Sequence, residues 1–484
     1  MSQEVPAATD SAPSASADAL WPIGEIGELL AGEWLNPPAD PQRPIMGVNT
    51  DSRSIEPGEA FVALKGDRFD GHDFLEAATE AGAALLIVSR SPRPGPGESI
   101  EDLPPVYRVD DTLIALQRLG AAWRDELAAA GTKVVAITGS NGKTTTRHLT
   151  RQVLEATGSA VESPRSFNNH IGVPLTLLLG RRHHDYLIAE VGTNHPGEID
   201  ELAAIVRPDI AVITSIGSAH LEQFADLDAV AKEKSALLNH VQPGGRALVL
   251  GDEPAATRLT PYLPGPDGPT LERFGEHADC EHRVQNVAAS DEGVQFEAIV
   301  VGSDPVAVSL PLVGRHNATN ALAALIVGAY LGISPADGAK QLAGADGAPM
   351  RLAVEVIETA GAPVTVINDA YNANPDSMAA SLETLAGFNV AAGGRRIAIL
   401  GDMLELGDAG PDLHRELGER MVRIAGIQAA VLIGPLAMFI AETASRGWNA
   451  DRVHAEPDAT DEAIERTADR VQAGDTVLVK ASRG

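Results

Sequence analysis

The stretch Lys133-Val-Val-Ala-Ile-Thr-Gly-Ser-Asn-Gly-Lys-Thr-Thr145 decides the fold. Its first six residues read as a buried β-strand, and a glycine-rich turn then leads into a helix from Thr144. Glycines at 139 and 142 allow the backbone to curl so that its N–H groups face inward, toward phosphate oxygens. The helix N-terminus adds partial positive charge. Gly139, Ser140, Asn141, Gly142, Lys143, Thr144 and Thr145 are therefore candidate ATP-binding residues. Lys143 would reach the β- and γ-phosphates, and Thr144 would hold Mg2+ through its hydroxyl. One position departs from the common phosphate-loop pattern, because Ile137 stands where the first glycine is usual.

Further strands follow at Tyr186-Leu-Ile-Ala-Glu190, Ile210-Ala-Val-Ile-Thr214 and Ala247-Leu-Val-Leu250. They alternate with helix candidates, which predicts a parallel sheet with crossover helices. In such a sheet the carboxyl ends of the strands share one crevice. Glu190 ends its strand and is a natural Mg2+ ligand there. His220 follows the next strand and reaches the same edge. Lys232 and Lys234, in Ala231-Lys-Glu-Lys-Ser-Ala-Leu-Leu238, read without further context as a solvated helix face. The run His183-His184-Asp185 lacks helical ligand spacing and is assigned to the surface.

Beyond this core the pattern predicts an α/β chain of three domains. A disordered Ala/Ser/Pro-rich tail covers 1–18, a first domain 19–109, a central domain 110–347 and a C-terminal domain 348–484. The first contains short strand pieces near Phe61–Leu64 and Ala84–Val88, a helical stretch from His72, and a proline-rich loop from Ser91. The central domain becomes strand-rich from Phe296 to Leu312 and then helical from Asn317 to Leu331. The last again alternates strands (Val364–Ile367, Arg396–Leu400, Ala429–Ile433, Thr476–Val479) with helices, as a second doubly wound sheet does.

The chain has 484 residues, with 37 Lys+Arg against 67 Asp+Glu, a net charge of −30. So acidic a surface argues against nucleic acid and against anionic membranes as partners. An anionic nucleotide would need a local positive island. The single cysteine, Cys280, excludes an intramolecular disulfide and a thiolate-only zinc site. The first eighteen residues have neither a basic start nor an apolar run, so no signal peptide is expected, and no stretch approaches the ~20 apolar residues of a membrane span. A cytoplasmic location is the expectation.

Taken together, Gly-Ser-Asn-Gly-Lys-Thr-Thr, Glu190, Ala219-His220-Leu221 and Lys234 resemble the central ATPase domain of the Mur ligases and the related folylpolyglutamate synthetases. The likeness extends over nearly all of the chain after the tail. Ile367-Asn-Asp-Ala-Tyr-Asn-Ala-Asn-Pro-Asp-Ser-Met378 and Leu400-Gly-Asp-Met-Leu-Glu-Leu-Gly407 resemble the dipeptide-adding branch of that family. The resemblance implies a UDP-sugar-binding first domain, a phosphate-loop ATPase centre with a mostly parallel sheet, and a Rossmann-like ligase domain. It also implies ATP and Mg2+ as cofactors, UDP-MurNAc-tripeptide and D-Ala-D-Ala as substrates, and a monomer with no membrane anchor. The reaction implied is amide formation through an acyl phosphate.

By position, the resemblance makes Lys143, Glu190, His220, Lys234 and Arg351 catalytic. Thr144, Glu190, His220 and a carbamylated Lys234 become metal ligands, with Lys232 the rival for the modified lysine. Asn317 and Asn320, in Gly314-Arg-His-Asn-Ala-Thr-Asn-Ala321, would lie near adenine, and Arg351, Asp369 and Tyr371 would approach the nucleotide. In the first domain Ser52, Arg53, Lys65, Asp70 and His72 match UDP-sugar positions. Asn168, Asn169 and Thr176, in Ser166-Phe-Asn-Asn-His-Ile-Gly-Val-Pro-Leu-Thr176, match a substrate loop. Asn372 and Asn374 would meet nucleotide or dipeptide, although Asn and Pro there equally suit a helix-capping turn. The family usually continues for a short segment beyond the position of Gly484. Two rivals stay open: a ligase adding a single amino acid, or glutamate to folate; and a nucleotide-gated binding protein that performs no ligation.

Overall fold

The computed structural model describes residues 19–66, 68–93, 99–218, 221–359 and 361–482. The N-terminal tail, part of the proline-rich loop (94–98) and His220 lie outside the described residues. Two compact units divide the chain. The first comprises the chain through Val134 with Ser159–Ala189 and Ala204–Arg207; the second comprises Val135–Gly158, Glu190–Ala203 and everything from Pro208.

In the first unit five strands order as Gly32–Asn36, Val106–Val109, Leu85–Val88, Glu59–Val62 and Gly47–Asn49. All neighbours are parallel except the first pair. Phe61, Leu86, Val88 and Val106 form its core with Leu75 and Ala78 of the short helix Leu75–Glu80. Helix Thr112–Ala130 buries Leu116, Leu119, Trp123 and Leu127 at helical spacing. Asp111 caps it by accepting from the Leu113 and Ile114 N–H groups, and Gly131 ends it at φ +93°. Its Gly120 lies against helix Gly172–Leu179, where a β-carbon would sit 2.9 Å from Pro174 Cα. Trp123 donates to the Gly180 carbonyl at 3.0 Å and carries the Arg182 guanidinium over its ring.

In the second unit the strand Lys133–Thr138 pairs in parallel with Ile210–Ile213, followed outward by Arg246–Leu250, Thr270–Gly275 and His282–Ser290. Two antiparallel strands, Gly293–Ile299 and Val306–Leu310, complete that run. Helix Lys143–Leu154 packs on helix Asn317–Tyr330, and almost every residue of the latter is buried. A second sheet orders as Ala353–Ile357, Val364–Asn368, Thr476–Lys480, Arg396–Leu400, Ala429–Ile433 and Val453–Glu456, antiparallel only in its first pair. Its core includes Ile367, Met378, Leu382, Leu400, Leu432 and Leu478.

The mixed α/β, mostly parallel architecture was legible from the alternation of elements. Edge strands such as Gly32–Asn36 and Ala353–Ile357 were not. Four of the five residues of Ala353–Ile357 are exposed, so no alternation marks them. No helix among the described residues is long and apolar enough to cross a membrane.

Candidate active site

The loop Gly139–Gly142 takes its shape from the chain after strand Ile210–Ile213. Asn141 N–H donates to Ser215 Oγ at 2.7 Å, while the Thr214 and Ser215 hydroxyls donate to the Asn141 carbonyl at 2.6 and 2.9 Å. Ser140 Oγ donates to Gly217 O at 3.0 Å. Gly139 (φ +151°) and Gly142 (φ +83°) occupy backbone conformations that only glycine adopts without strain. A β-carbon on Gly142 would also meet Asn320 Oδ1 at 2.6 Å. The helix starts at Lys143, and the Lys143 ammonium folds back to the Gly139 carbonyl at 2.7 Å. Burial pushes the Lys143 pKa down; Glu190 opposes that shift and Arg351 adds to it.

Glu190 leaves its strand with the Val191 N–H bonded to Ile137 O at 2.9 Å, which aligns it with the loop strand. Its side chain is 1% exposed. Glu190 Oε2 accepts from Thr144 Oγ1 at 2.9 Å and from Arg147 Nη1 at 3.1 Å. Arg147 is a site residue the sequence reading missed. Its signal was a charged side chain on the buried stripe Thr146, Leu149, Thr150, Val153 of the same helix.

Helix Leu227–Ser235 resolves the two lysines: Lys232 is exposed, whereas Lys234 is 2% exposed. Burial first, and the nearby Lys143 charge second, lower the Lys234 pKa to about 7, against partial support from Glu233. Glu233 fixes this helix by accepting from the Gly197 and Ile199 N–H groups at 2.7 and 2.9 Å. The expectation of a solvated lysine face therefore holds for Lys232 and fails for Lys234, which is buried within the field of Lys143. Among the described residues no three His, Cys, Asp or Glu side chains gather as a metal cluster. The oxygen donors at hand are Thr144 and Glu190.

From the second sheet, Arg351 stacks on Tyr371 at 4.2 Å from the ring centroid. Burial lowers its pKa while Glu190, Tyr371 and Asp369 counteract, so the guanidinium lies within the field of the loop's carboxylate. Asp369 is buried and engaged: it accepts from Lys480 Nζ and Ser381 Oγ, each at 2.6 Å, and from the Leu352 N–H at 3.1 Å. Asn374 caps helix Pro375–Gly387 by accepting from Ser377 N–H at 2.9 Å, and its amide also donates to Asn141 Oδ1 at 2.8 Å. The helix-capping turn is thus present, and the same side chain also bonds the phosphate loop. Asn372 is exposed, and its carbonyl accepts from Lys480 at 2.9 Å.

Asn317 and Asn320 are buried in packing. Asn317 donates to Val313 O at 2.8 Å, and Asn320 Oδ1 accepts from Thr146 at 3.3 Å. A cavity of about 380 Å3 beside them is lined by Gly314, His316, Thr319, Glu383, Thr384 and Gly387, among others. Burial pushes the His316 pKa down, which favours a neutral ring.

In the first unit, Arg53 pairs with Asp51 at 2.7 Å beside Ser52, and Lys65 forms a backbone bridge with Asp70. His72 Nε2 accepts from Ser89 N–H at 2.9 Å, which leaves Nδ1 as the donor to Asp70 at 2.6 Å. Burial works against the Asp70 carboxylate, yet the His72 hydrogen bonds and the Arg90 charge hold it below its ordinary pKa. Asn169 Oδ1 accepts from the Gly172 N–H at 2.9 Å just before helix Gly172–Leu179, and Thr176 is fully buried and bonded to Gly172 O at 2.8 Å. Asn168 is half-buried on the same loop. There the Ser166 hydroxyl is buried with no hydrogen-bond partner among the described residues, and Arg165 sits at φ +51°.

Comparison with known proteins agrees with this geometry. Family models described as the Mur ligase middle domain, the Mur ligase glutamate ligase domain and the Mur ligase family catalytic domain match residues 137–328, 354–483 and 44–124. A UDP-N-acetylmuramoyl-tripeptide–D-alanyl-D-alanine ligase of Bacillus subtilis is 38% identical over 465 residues, 96% of this chain and 95% of the relative. The enzyme of the same name in Mycobacterium tuberculosis is 32% identical over 493 residues, 95% and 94% of the two chains. A crystal structure of MurF from Acinetobacter baumannii superposes with a TM-score of 0.82 at 31% identity, covering 96% of this chain and 97% of that one. MurF of Thermotoga maritima in complex with ADP gives 0.73 at 28% identity, covering 90% and 94%. On the phosphate loop, the sheets around it and these relatives, the chain belongs to the Mur ligase family.

Proposed function

We propose that this chain is an ATP-dependent ligase that joins D-alanyl-D-alanine to UDP-N-acetylmuramoyl-tripeptide and so forms the pentapeptide precursor of peptidoglycan. The activity is the one in the names of its relatives. The observation that carries the reading is the meeting of Lys143, Glu190 and Arg351 around one glycine loop, with Lys234 buried beside Lys143. Two cations and a helix N-terminus form the positive island that a triphosphate needs on a chain of net charge −30.

The chemistry runs in two steps. A tripeptide carboxylate oxygen attacks the γ-phosphorus of ATP, the bond to the bridging oxygen breaks, and ADP departs. The dipeptide amine then attacks the acyl carbon, phosphate leaves with the C–O electron pair, and the amine loses a proton. Lys143 and Arg351 neutralise charge that builds on the transferred phosphoryl group, and the loop N–H groups orient it. Exclusion of water protects the acyl phosphate from hydrolysis.

Mg2+ fits the donors available. Thr144 and Glu190 would hold it with His220 and with Lys234 as a carbamate, and its contribution when bound is to neutralise the phosphate oxygens. The low Lys234 pKa supports the modification: a neutral amine adds to CO2, a C–N bond forms and a proton leaves, which turns a cation into an anionic ligand. The cavity at His316 and Thr319 suits the nucleoside; Asn317 and Asn320, on the same helix as Thr319, are assigned to the adenine side, and Asp369 and Tyr371 to the nucleotide beside Arg351. Ser52, Arg53, Lys65, Asp70, His72, Asn168 and Asn169 are assigned to the UDP-sugar-peptide, Thr176, fully buried, to the packing behind the 168–169 loop, and Asn372 and Asn374 to the dipeptide side. The division into 19–109, 110–347 and 348–484 belongs to the same reading.

The test is product formation with each reactant omitted in turn. Pentapeptide and ADP should appear only when ATP, UDP-MurNAc-tripeptide and D-Ala-D-Ala are all present, and hydroxylamine should capture the activated tripeptide. ADP release with no acceptor would point to a switch; ligation of a single amino acid would point to another branch of the family.

A further inference from the structure

Arg351 sits between two strained residues, with Met350 at φ +58° and Leu352 at φ +53°. Non-glycine residues hold the left-handed conformation only where their surroundings over-determine it. Two contacts do so here. The Tyr371 N–H donates to Met350 O at 3.2 Å, and the Leu352 N–H donates to Asp369 Oδ1 at 3.1 Å. Asp369 is thus the anchor of the Arg351 turn, and its carboxylate also acts electrostatically on the Arg351 guanidinium. A free Asp369 carboxylate would draw Arg351 off Tyr371 into an ion pair of its own.

Lys480, the last residue of strand Thr476–Lys480, prevents this. It is 2% exposed, and its ammonium donates to Asp369 Oδ2 at 2.6 Å and to the Asn372 carbonyl at 2.9 Å. Ser381 Oγ completes the same oxygen at 2.6 Å. We propose that Lys480 is a positioning residue for the ligation: by occupying Asp369 it leaves the Arg351 charge for the phosphoryl group and holds the turn that carries Tyr371 and Asn374. The inference rests on the proposed role of Arg351, and the roles of the two residues separate experimentally.

The experiment is a double-mutant cycle in kcat on the full chain, with thermal melts to confirm folding. Lys480→Met should lower kcat at least about tenfold and leave KM for D-Ala-D-Ala within about twofold, whereas Lys480→Arg should recover most of the rate. In an Arg351→Ala background, adding Lys480→Met should cost less than about twofold more, because the residue it positions is gone. If Lys480→Met does not fold, Ser381→Ala enters the same cycle and should show a smaller loss that also vanishes with Arg351→Ala. Equal losses in both backgrounds, or a folded Lys480→Met at full rate, would overturn the proposal. An Arg351→Ala enzyme at full rate would overturn the role of Arg351 and this inference with it.

Discussion

Asn141 and Asn374 form a side-chain amide pair across 233 residues of sequence: Asn374 Nδ2 donates to Asn141 Oδ1 at 2.8 Å, and Asn141 Nδ2 lies 3.4 Å from Asn374 Oδ1. Beside it the Ser218 N–H donates to Asp376 Oδ2 at 2.8 Å, and a β-carbon on Gly217 would collide with that carboxylate. The N-terminus of helix Pro375–Gly387 is therefore seated on the phosphate loop and on the segment that shapes it. Asn374 does two jobs at once, capping the start of a helix and tying it to the phosphate loop.

Substitution can separate the two jobs. Asn374→Ala should cost about 1 kcal/mol for the lost cap and should also raise KM for ATP. Asn374→Ser keeps a capping oxygen but cannot reach Asn141 as an amide donor. Its melting temperature should return close to that of the parent while KM for ATP stays raised. Equal KM in Asn374→Ser and parent would show that the pair contributes nothing to nucleotide binding.

Lys143→Ala should abolish turnover, by about two orders of magnitude or more in kcat, since no other cation extends from within the loop. The fold should survive, because Lys143 is only half-buried and among the described residues its side chain bonds only the Gly139 carbonyl. Phosphate release and pentapeptide formation measure the first expectation, and thermal unfolding the second.

Lys234 makes stability depend on pH in a specific sense. Its pKa falls from 10.5 to about 7 on folding, so the unfolded chain binds more protons between those values and stability rises with pH across that window. Replacing it by methionine removes the cost of burying an ammonium. In CO2-free buffer Lys234→Met should melt above the parent at pH 6, with the advantage shrinking as pH climbs from about 7 toward 10.5. Activity should be lost at every pH. A constant difference in melting temperature over pH 6 to 10, about the range that matters, would refute the shift.

Gly120→Ala tests the first unit independently of catalysis. The added methyl would stand 2.9 Å from both Pro174 Cα and Pro174 Cβ, and proline offers no rotamer by which to retreat. The change should destabilise by about 1–3 kcal/mol despite the better helix propensity of alanine. Chemical denaturation gives the value directly, and a stabilised variant would mean the two helices can move apart freely.

The local features were legible in the chain alone. A strand, a tight glycine turn and a Gly-Lys-Thr helix start occupy thirteen consecutive residues, and each is dictated by backbone sterics and apolar periodicity within that window. Glu190 was legible for a related reason, since a carboxylate ending a parallel strand falls at the crevice by topology. Lys480 ends a parallel strand in the same way, but nothing in Thr476–Lys480 names its partner: Asp369 lies 111 residues earlier.

What tertiary structure alone decided was which polar groups are covered. Lys232 and Lys234 are two residues apart on one helix with the same chemistry, and only the way that helix is seated, held by Glu233 on the Gly197 and Ile199 N–H groups, leaves the first exposed and the second buried. Arg147 and Asn374 likewise acquire roles from neighbours distant in sequence. Burial and charge pairing are sums over groups brought together from many parts of the chain, whereas turns and helix starts are set by the residues that form them.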